Sequence, residues 1–227
     1  MRWLTPGGLI AACAVGAGVG VGLGWPGLAL LAAFLVSGSL LTQVAEHRSP
    51  YRTARQVLAN GGVAALAALL GSWPTAAGAI AAASADTWAT EIGAFSPFAP
   101  RLITSGRRVT RGTSGGITLL GTLGAVAGAV VMAGLARALA PQGTAPFGLV
   151  AGAGVAGMLA DSLLGATLQG KYECPACDAL FERGTTVCHE PVRLTRGWRW
   201  LDNDAVNLVA TLVGAGVCLL GPHAAPR

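Results

Sequence analysis

Seven long apolar segments run through the chain, and short polar stretches separate them. A bilayer core is crossed by about 20 mostly apolar residues, or about 17 where the turns are tight. The segments that approximately meet this requirement are residues 7–24, 26–45, 56–72, 75–95, 115–140, 146–169 and 203–221. Turn-forming residues such as Trp25-Pro26-Gly27 and Ser72-Trp73-Pro74 lie between neighbouring segments. The pattern predicts an all-α, polytopic transmembrane helix bundle with about six or seven spans.

The whole chain, residues 1–227, is predicted to form one integral-membrane domain. Within it we expect an N-terminal helical hairpin over 1–48 and a catalytic helical core over 50–221, with polar loops at 96–114 and 170–202. Composition agrees with a membrane protein, because 53% of the residues are hydrophobic and only 11% are charged. So few charges cannot cover a water-soluble globule, and so apolar a chain is not disordered.

The basic residues predict the orientation of the bundle. With a cytoplasmic N-terminus, 13 of the 15 Lys and Arg residues fall on the cytoplasmic side, and only Arg137 and Arg227 fall outside. Cytoplasmic loops of membrane proteins carry an excess of Lys and Arg, so this orientation is preferred. We expect a bacterial-type cytoplasmic membrane as the location. The net charge of +5 then reflects topology, and the expected surroundings are membrane lipids and not nucleic acid.

Three acidic residues, Asp86, Glu91 and Asp161, lie inside apolar segments. An ionisable residue within a span costs about 2.5–3.5 kcal/mol on insertion scales, so each invites a functional explanation. The orientation places all three in the cytoplasmic half, where their oxygen ligands suit Mg²⁺. Glu91 lies about 140° around an ideal helix from Asp86. Both can bind one ion only if the helix is locally broken or widened; otherwise Glu91 orients a basic residue.

A basic, glycine-rich run opens the fifth segment, at the predicted N-terminus of its helix and in the same half of the membrane as the three acids. Backbone N–H groups, hydroxyls and the positive end of a helix are typical of phosphate binding. The candidate residues of this run are Arg107, Arg108, Arg111, Gly112, Thr113, Ser114, Gly115 and Gly116. Three amides at helix starts, Asn60, Asn203 and Asn207, are further candidates for binding phosphate, ribose or metal-bound water. A plain loop whose arginines only set topology is the alternative, since the run does not match the Walker pattern.

Two other interpretations of this polar cluster are a structural network between helices and a pathway for cations or protons. A pathway would distribute ionisable groups through the depth of the membrane. The outer half contains only Arg137, close to a segment end. The distribution therefore favours a metal and phosphate site that faces the cytoplasm.

The loop 170–202 contains a cysteine pattern. Cys174 and Cys177 form a C-x2-C pair, and Cys188 and His189 follow after ten further residues. The four side chains are candidate ligands of a structural Zn²⁺, although adjacent ligands are awkward. Reduced thiols or a redox pair are the alternatives.

Five motifs in this order carry a resemblance to a known family. They are Gln56–Gly62 (QVLANGG), Ala85–Gly93 (ADTWATEIG), Gly112–Gly116 (GTSGG), Asp161–Ala166 (DSLLGA) and Asn203–Asn207 (NDAVN). Together they resemble the integral-membrane phytyl-phosphate kinase family, long catalogued only as a domain of unknown function. The family is distantly similar to dolichol and phytol kinases and to CDP-lipid synthases.

The resemblance implies phosphorylation of a prenyl monophosphate lipid to the diphosphate, with CTP as the nucleoside triphosphate donor and Mg²⁺ as cofactor. Asp86 and Asp161 would hold Mg²⁺, Glu91 would complete that shell or hold a basic residue, and Gly112–Gly116 would cradle the nucleotide phosphates. A CTP-dependent cytidylyltransferase acting on a lipid phosphate is one alternative. A flippase for a phosphorylated lipid is another, and the oligomeric state is not predicted.

Overall fold

A computed structural model of the 227-residue chain describes residues 3–45, 51–140, 144–177, 180–181, 186–187 and 190–221. Most of them belong to six helices: α1 Pro6–Ala45, α2 Ala54–Leu69, α3 Trp73–Gly93, α4 Leu119–Leu139, α5 Phe147–Thr167 and α6 Asn203–Leu220. The largest departure from the predicted bounds is at α4, which begins at residue 119 instead of 115. Of these helices, α1, α4, α5 and α6 are long and apolar enough to cross a membrane.

Helix α1 is interrupted at Gly24, whose φ of 65° and ψ of −159° are not helical. A Cβ built on Gly27 would lie 2.9 Å from the Val19 side chain. In a straight helix residues eight apart are separated by about 12 Å along the axis, so the chain folds back at Gly24 and the two halves of α1 lie side by side. The predicted boundary between hairpin and core, at residues 48–50, lies outside the described residues.

Helix α3 lies at the centre of the bundle and contacts α1, α2, α4, α5 and α6. Its buried stretch from 76 to 83 contains only Ala, Gly and Ile. A Cβ built on Gly78 would lie 2.5 Å from the carbonyl oxygen of Gly214 on α6, and a Cβ on Gly214 would meet Gly78 equally closely. The backbones of α3 and α6 are therefore in direct contact, as small residues permit.

The ends of the helices that face the predicted site are capped by polar side chains. Thr53 and Gln56 form a capping box at the start of α2, in which each side chain accepts from the other's backbone N–H. The Thr118 side chain accepts from the Gly121 N–H at the start of α4, and Asp202 accepts from the Ala205 N–H at the start of α6. These bonds fix where each helix begins.

The two polar loops contain short strands, which the all-α prediction omitted. In the first loop, β1 Arg101–Leu102 pairs with β2 Gly116–Ile117. In the second, β3 Lys171–Glu173 lies between β4 Leu180–Phe181 and β7 Arg193–Arg196, while β5 Thr186–Val187 pairs with β6 Glu190–Pro191. All pairs are antiparallel. Backbone groups need hydrogen-bond partners outside the helices, and antiparallel pairing supplies them in short loops. The fold is thus mostly helical, with small sheets in its loops.

Candidate active site

A cavity of about 680 Å³ lies at one end of the bundle. It is bounded by the C-terminal parts of α1, α3 and α5 and by the N-terminal parts of α2, α4 and α6. Each helix contributes a lining residue, among them Ser39, Asn60, Asp86, Gly121, Asp161 and Asn207. The loop before α4 closes another side. Alternate helices run in opposite directions, so this end collects polar residues that are more than 100 positions apart in the chain.

The cavity brings together most of the candidates from the sequence. The predicted residues that line it are Asn60, Asp86, Glu91, Arg111, Gly112, Thr113, Ser114, Gly115, Gly116, Asp161, Asn203 and Asn207. Arg107 and Arg108 are exposed and are not among its lining residues. The Leu102 N–H donates to the Arg107 carbonyl at 2.9 Å, and Arg101 pairs with Arg108, so this part of the loop is the outer turn of a hairpin.

The three acids do not occupy equivalent positions. Glu91 is only 7% exposed, and its Oε1 accepts a hydrogen bond of 2.8 Å from Thr42 Oγ1. Helix α3 is continuous from Trp73 to Gly93, so the break required for Asp86 and Glu91 to share one ion is absent. Asp86 is half-buried, and Asp161 Oδ2 is buried. Within the described part of the chain, no three His, Cys, Asp or Glu side chains form a metal-binding group.

The glycine-rich loop is held against the end of α5. Gly112 and Gly115 have positive φ values of 83° and 78°, which glycine adopts without strain. A Cβ on Gly115 would lie 2.5 Å from the Ala166 backbone nitrogen, so only glycine permits this approach. Helix α4 begins later, after the Thr118 cap. The loop therefore borders the cavity as a separate turn and not, as the sequence suggested, as the first turn of the next helix.

Arg111 connects this loop to α3. Its Nη1 donates to the Ala94 carbonyl at 2.8 Å, and its Nη2 donates to the Ser96 carbonyl at 2.6 Å. Both carbonyls immediately follow the end of α3. A cation at this position also interacts favourably with the negative end of the helix dipole. Arg111 thus places positive charge at the rim of the cavity while it fixes the loop.

The sequence interpretation missed Arg52, Ser39 and Thr42, which also line the cavity. The Arg52 guanidinium lies 5.5 Å from the centre of the Phe34 ring. Burial lowers the pKa of Arg52, and the nearby negative charge of Glu91 partly opposes this effect. Ser39 and Thr42 are polar residues within an apolar segment, a signal that could have identified them. In the sequence, Arg52 serves only as one of the basic residues that indicate topology.

Cys174 and Cys177, the two candidate zinc ligands that the structure describes, are not among the residues that line the cavity. Cys174 is buried and Cys177 is exposed, in the turn that follows β3. Cys188 and His189 lie outside the described residues, so the candidate zinc site stays a prediction.

Comparison with known proteins identifies the family. Residues 1–215 match the family described as Integral membrane protein DUF92. An uncharacterized membrane protein of Methanocaldococcus jannaschii is 34% identical over 210 residues, which cover 87% of this chain and 76% of that protein. Protein PGR of Arabidopsis thaliana is 31% identical over 228 residues, 82% and 77% of the two chains. An uncharacterized membrane protein of Synechocystis is 30% identical over 241 residues, 96% and 82% of the two chains.

No solved structure matches the chain. The family match covers nearly the whole sequence and includes all five motifs that carry the resemblance. The predicted family membership is therefore confirmed. Together with the apolar helices, it establishes a mostly helical protein embedded in a membrane. The chain belongs to the integral membrane protein family DUF92.

Proposed function

We propose that the protein is a kinase that transfers the γ-phosphoryl group of CTP to a prenyl monophosphate of the phytyl or geranylgeranyl type. An oxygen of the lipid phosphate forms a bond to the γ-phosphorus while the bond from that phosphorus to the bridging oxygen breaks. The products are the prenyl diphosphate and CDP. The nucleophile is already anionic at neutral pH, so the reaction requires no strong general base.

The observation that carries the proposal is the composition of the cavity at one end of the bundle. Its volume of about 680 Å³ falls within the range of about 300–1,000 Å³ that small-molecule sites usually have. Carboxylates, amides and a glycine-rich loop share this space with hydroxyl groups. Phosphoryl transfer depends almost entirely on positioning and on neutralisation of charge, and these groups can supply both.

The donors in the cavity fit Mg²⁺. Asp86 and Asp161 offer carboxylate oxygens, and Asn60 and Asn203 offer amide oxygens. Mg²⁺ is usually bound through one or two carboxylates, with water and substrate phosphates completing its shell, so a third acidic ligand is not required. We therefore assign Asp86 and Asp161 as its ligands. When bound, Mg²⁺ neutralises charge on the nucleotide phosphates.

The remaining residues position the reactants. The backbone N–H groups of Thr113 and Gly116 already donate to carbonyls within the loop, so those of Gly112 and Gly115 are the ones assigned to the nucleotide phosphates. Arg111 adds positive charge at the rim of the cavity beside them. Asn203 and Asn207 bind ribose or phosphate at the start of α6. Glu91 is already hydrogen-bonded to Thr42 and lies near Arg52, so we assign it the second of its two predicted roles, that of holding a basic residue.

The proposed topology has seven spans, because the break at Gly24 divides α1 into two helices. The N-terminus is cytoplasmic, and the cavity faces the cytoplasm, where CTP is available. The distribution of 13 of 15 basic residues supports this orientation. The prenyl chain stays among the apolar helices while its phosphate reaches the cavity.

The experiment combines purified protein in nanodiscs with Mg²⁺, labelled phytyl or geranylgeranyl monophosphate, and CTP, ATP, GTP or UTP separately. Products are resolved by mass. A prenyl diphosphate formed with CTP is the expected result. A CDP-lipid with pyrophosphate would assign the protein to the cytidylyltransferases. No product with any nucleotide, together with lipid movement between leaflets, would assign it to the flippases.

Asp86→Asn and Asp161→Asn test the metal assignment. Loss of an outer-shell partner of a metal ligand costs about 10–100-fold in activity or affinity, so loss of a ligand itself should reduce turnover by at least about 100-fold. Glu173→Gln, in strand β3 outside the cavity lining, is the matched control and should retain activity. Full turnover in both aspartate variants would contradict the metal role.

A further inference from the structure

Arg52 lies where two cavities of different character meet. It lines the polar cavity, and it also lines a smaller pocket of about 60 Å³ between the two halves of α1 and α2. Apart from Arg52 and Asn60, the described residues that line this smaller pocket are apolar residues and glycine, among them Val15, Leu31, Phe34, Leu35 and Val57. A ligand that fills both cavities must therefore have a polar head and an apolar chain.

The position of Arg52 is fixed by its backbone. Its N–H donates to the Trp3 carbonyl at 3.0 Å, and its own carbonyl accepts from the Thr5 N–H at 3.1 Å. The guanidinium lies against Gly38, where an added Cβ would come within 2.7 Å of Nη2. Among the described residues, ion pairs within 4 Å join Arg55 to Asp202 and Asp204, and Arg52 forms none.

Ser39 provides a second, independent observation. Its side chain is 5% exposed and lines the polar cavity, and its Oγ has no hydrogen-bond partner within the described structure. A buried hydroxyl without a partner costs about 1–3 kcal/mol relative to one that is hydrogen-bonded. Such a group is commonly satisfied by a ligand or by water. Ser39 follows Gly38 directly, so it lies next to the residue that contacts the guanidinium.

We infer that Arg52 and Ser39 bind the phosphate of the lipid acceptor, and that the first part of its prenyl chain occupies the apolar pocket between the halves of α1 and α2. This inference rests on the proposed function and adds the acceptor half of the site. Arginine is well suited to phosphate, because its donors form paired hydrogen bonds with phosphate oxygens. The nucleotide binds at Gly112–Gly116 in the same cavity, and the acceptor phosphate meets it near Asp86 and Asp161.

Binding of phytyl monophosphate without nucleotide tests this inference directly. Labelled lipid is titrated onto detergent-solubilised protein in a scintillation proximity assay. Arg52→Gln should weaken binding by at least about tenfold, because a hydrogen bond to a charged group is lost. Ser39→Ala should weaken it by about three- to tenfold without loss of thermal stability, because removing an unpaired buried hydroxyl does not destabilise the fold. A role of Ser39 in the fold alone would leave binding unchanged.

Arg137→Gln is the control, since Arg137 is exposed in the last turn of α4, at the far end from the cavity. Phytol and inorganic phosphate are the competitors. Phytyl monophosphate should bind more tightly than either, and equal displacement by inorganic phosphate would overturn the assignment of the apolar pocket. Leu35→Trp, which fills that pocket, should weaken binding of phytyl monophosphate and leave inorganic phosphate unaffected.

Kinetic constants separate the acceptor site from the donor site. Arg52→Gln should raise the KM for the lipid monophosphate and leave the KM for CTP unchanged. A rise in the KM for CTP alone would place Arg52 at the nucleotide and overturn the inference. If no nucleotide supports turnover but lipid binding still depends on Arg52 and Ser39, the kinase proposal fails and the lipid-phosphate site stands.

Discussion

Three glycines with positive φ permit a test of the glycine-rich loop that separates backbone strain, packing and ligand binding. Gly106, Gly112 and Gly115 have φ values of 68°, 83° and 78°. A residue with a Cβ costs about 1–2 kcal/mol in this left-handed conformation, so alanine at any of the three positions should destabilise the protein by a similar amount. Gly106 lies outside the cavity lining, whereas Gly112 and Gly115 are part of it. The three positions also differ in the space available for a Cβ atom.

A Cβ added at Gly106 or at Gly112 meets nothing within 4 Å, whereas at Gly115 it meets the backbone of Ala166 at 2.5 Å. Backbone atoms cannot move aside as a flexible side chain can. Overpacking of this kind costs about 1–3 kcal/mol beyond the strain. At about 2–4 °C per kcal/mol for a chain of 150–250 residues, Gly115→Ala should unfold about 2–12 °C below Gly112→Ala.

Thermal unfolding of the three purified variants in one detergent measures this difference, and the KM for CTP measures ligand binding. Gly112→Ala and Gly115→Ala keep the backbone N–H, but the strain of a positive φ should shift the turn and move this donor away from the phosphate. Loss of one hydrogen bond to a charged group should then raise the KM by about tenfold. Gly106→Ala should leave it unchanged. Equal unfolding temperatures for Gly112→Ala and Gly115→Ala would refute the packing of the loop on α5. Equal KM values for Gly106→Ala and Gly112→Ala would refute its role in nucleotide binding.

Two further predictions concern stability. Trp73 Nε1 donates a buried hydrogen bond of 3.2 Å to the Ala136 carbonyl, so Trp73→Phe should cost about 1–2 kcal/mol, measured by thermal unfolding. The cost stays small because that carbonyl also accepts from the Ala140 N–H. Arg55 forms ion pairs of 2.9 Å with Asp202 and of 3.6 Å with the buried Asp204, so Arg55→Gln should lower stability by about 1–3 kcal/mol, and by less in high salt.

The length of the apolar segments and the turn chemistry between them predicted the helices. Each apolar segment is long enough that only a helix satisfies its backbone groups in a bilayer, so length and composition decide the element. The start of α4 was predicted at 115 because Gly115 and Gly116 are followed by an apolar run. The structure uses these residues for β2 and the loop, and the Thr118 cap delays the helix to Leu119. A cap is a local signal, but a strand depends on a partner elsewhere in the chain.

All of the predicted residues on the helices line the cavity, whereas the predicted loop residues are divided: Arg111–Gly116 line it, and Arg107 and Arg108 do not. Asp86, Asp161 and the amides lie on helices whose direction and depth follow from the topology, and all of them line the cavity. Arg107 and Arg108 lie in a loop, where a hairpin of short strands turns them outward. A sequence pattern does not specify how a loop folds back, because its pairing depends on contacts with residues distant in the chain.

The sequence by itself determined the membrane-embedded helices, the concentration of polar residues at one end of the bundle, and the residue types available there. Only the tertiary structure decided which groups meet. Glu91 accepts from Thr42, a residue 49 positions earlier, and Arg52 lies against Gly38 and Phe34. Helical periodicity gives the direction of a side chain relative to its own helix, but not which neighbour lies in that direction. Neighbours follow from the close packing of small residues between helices, and that packing is a property of the whole bundle.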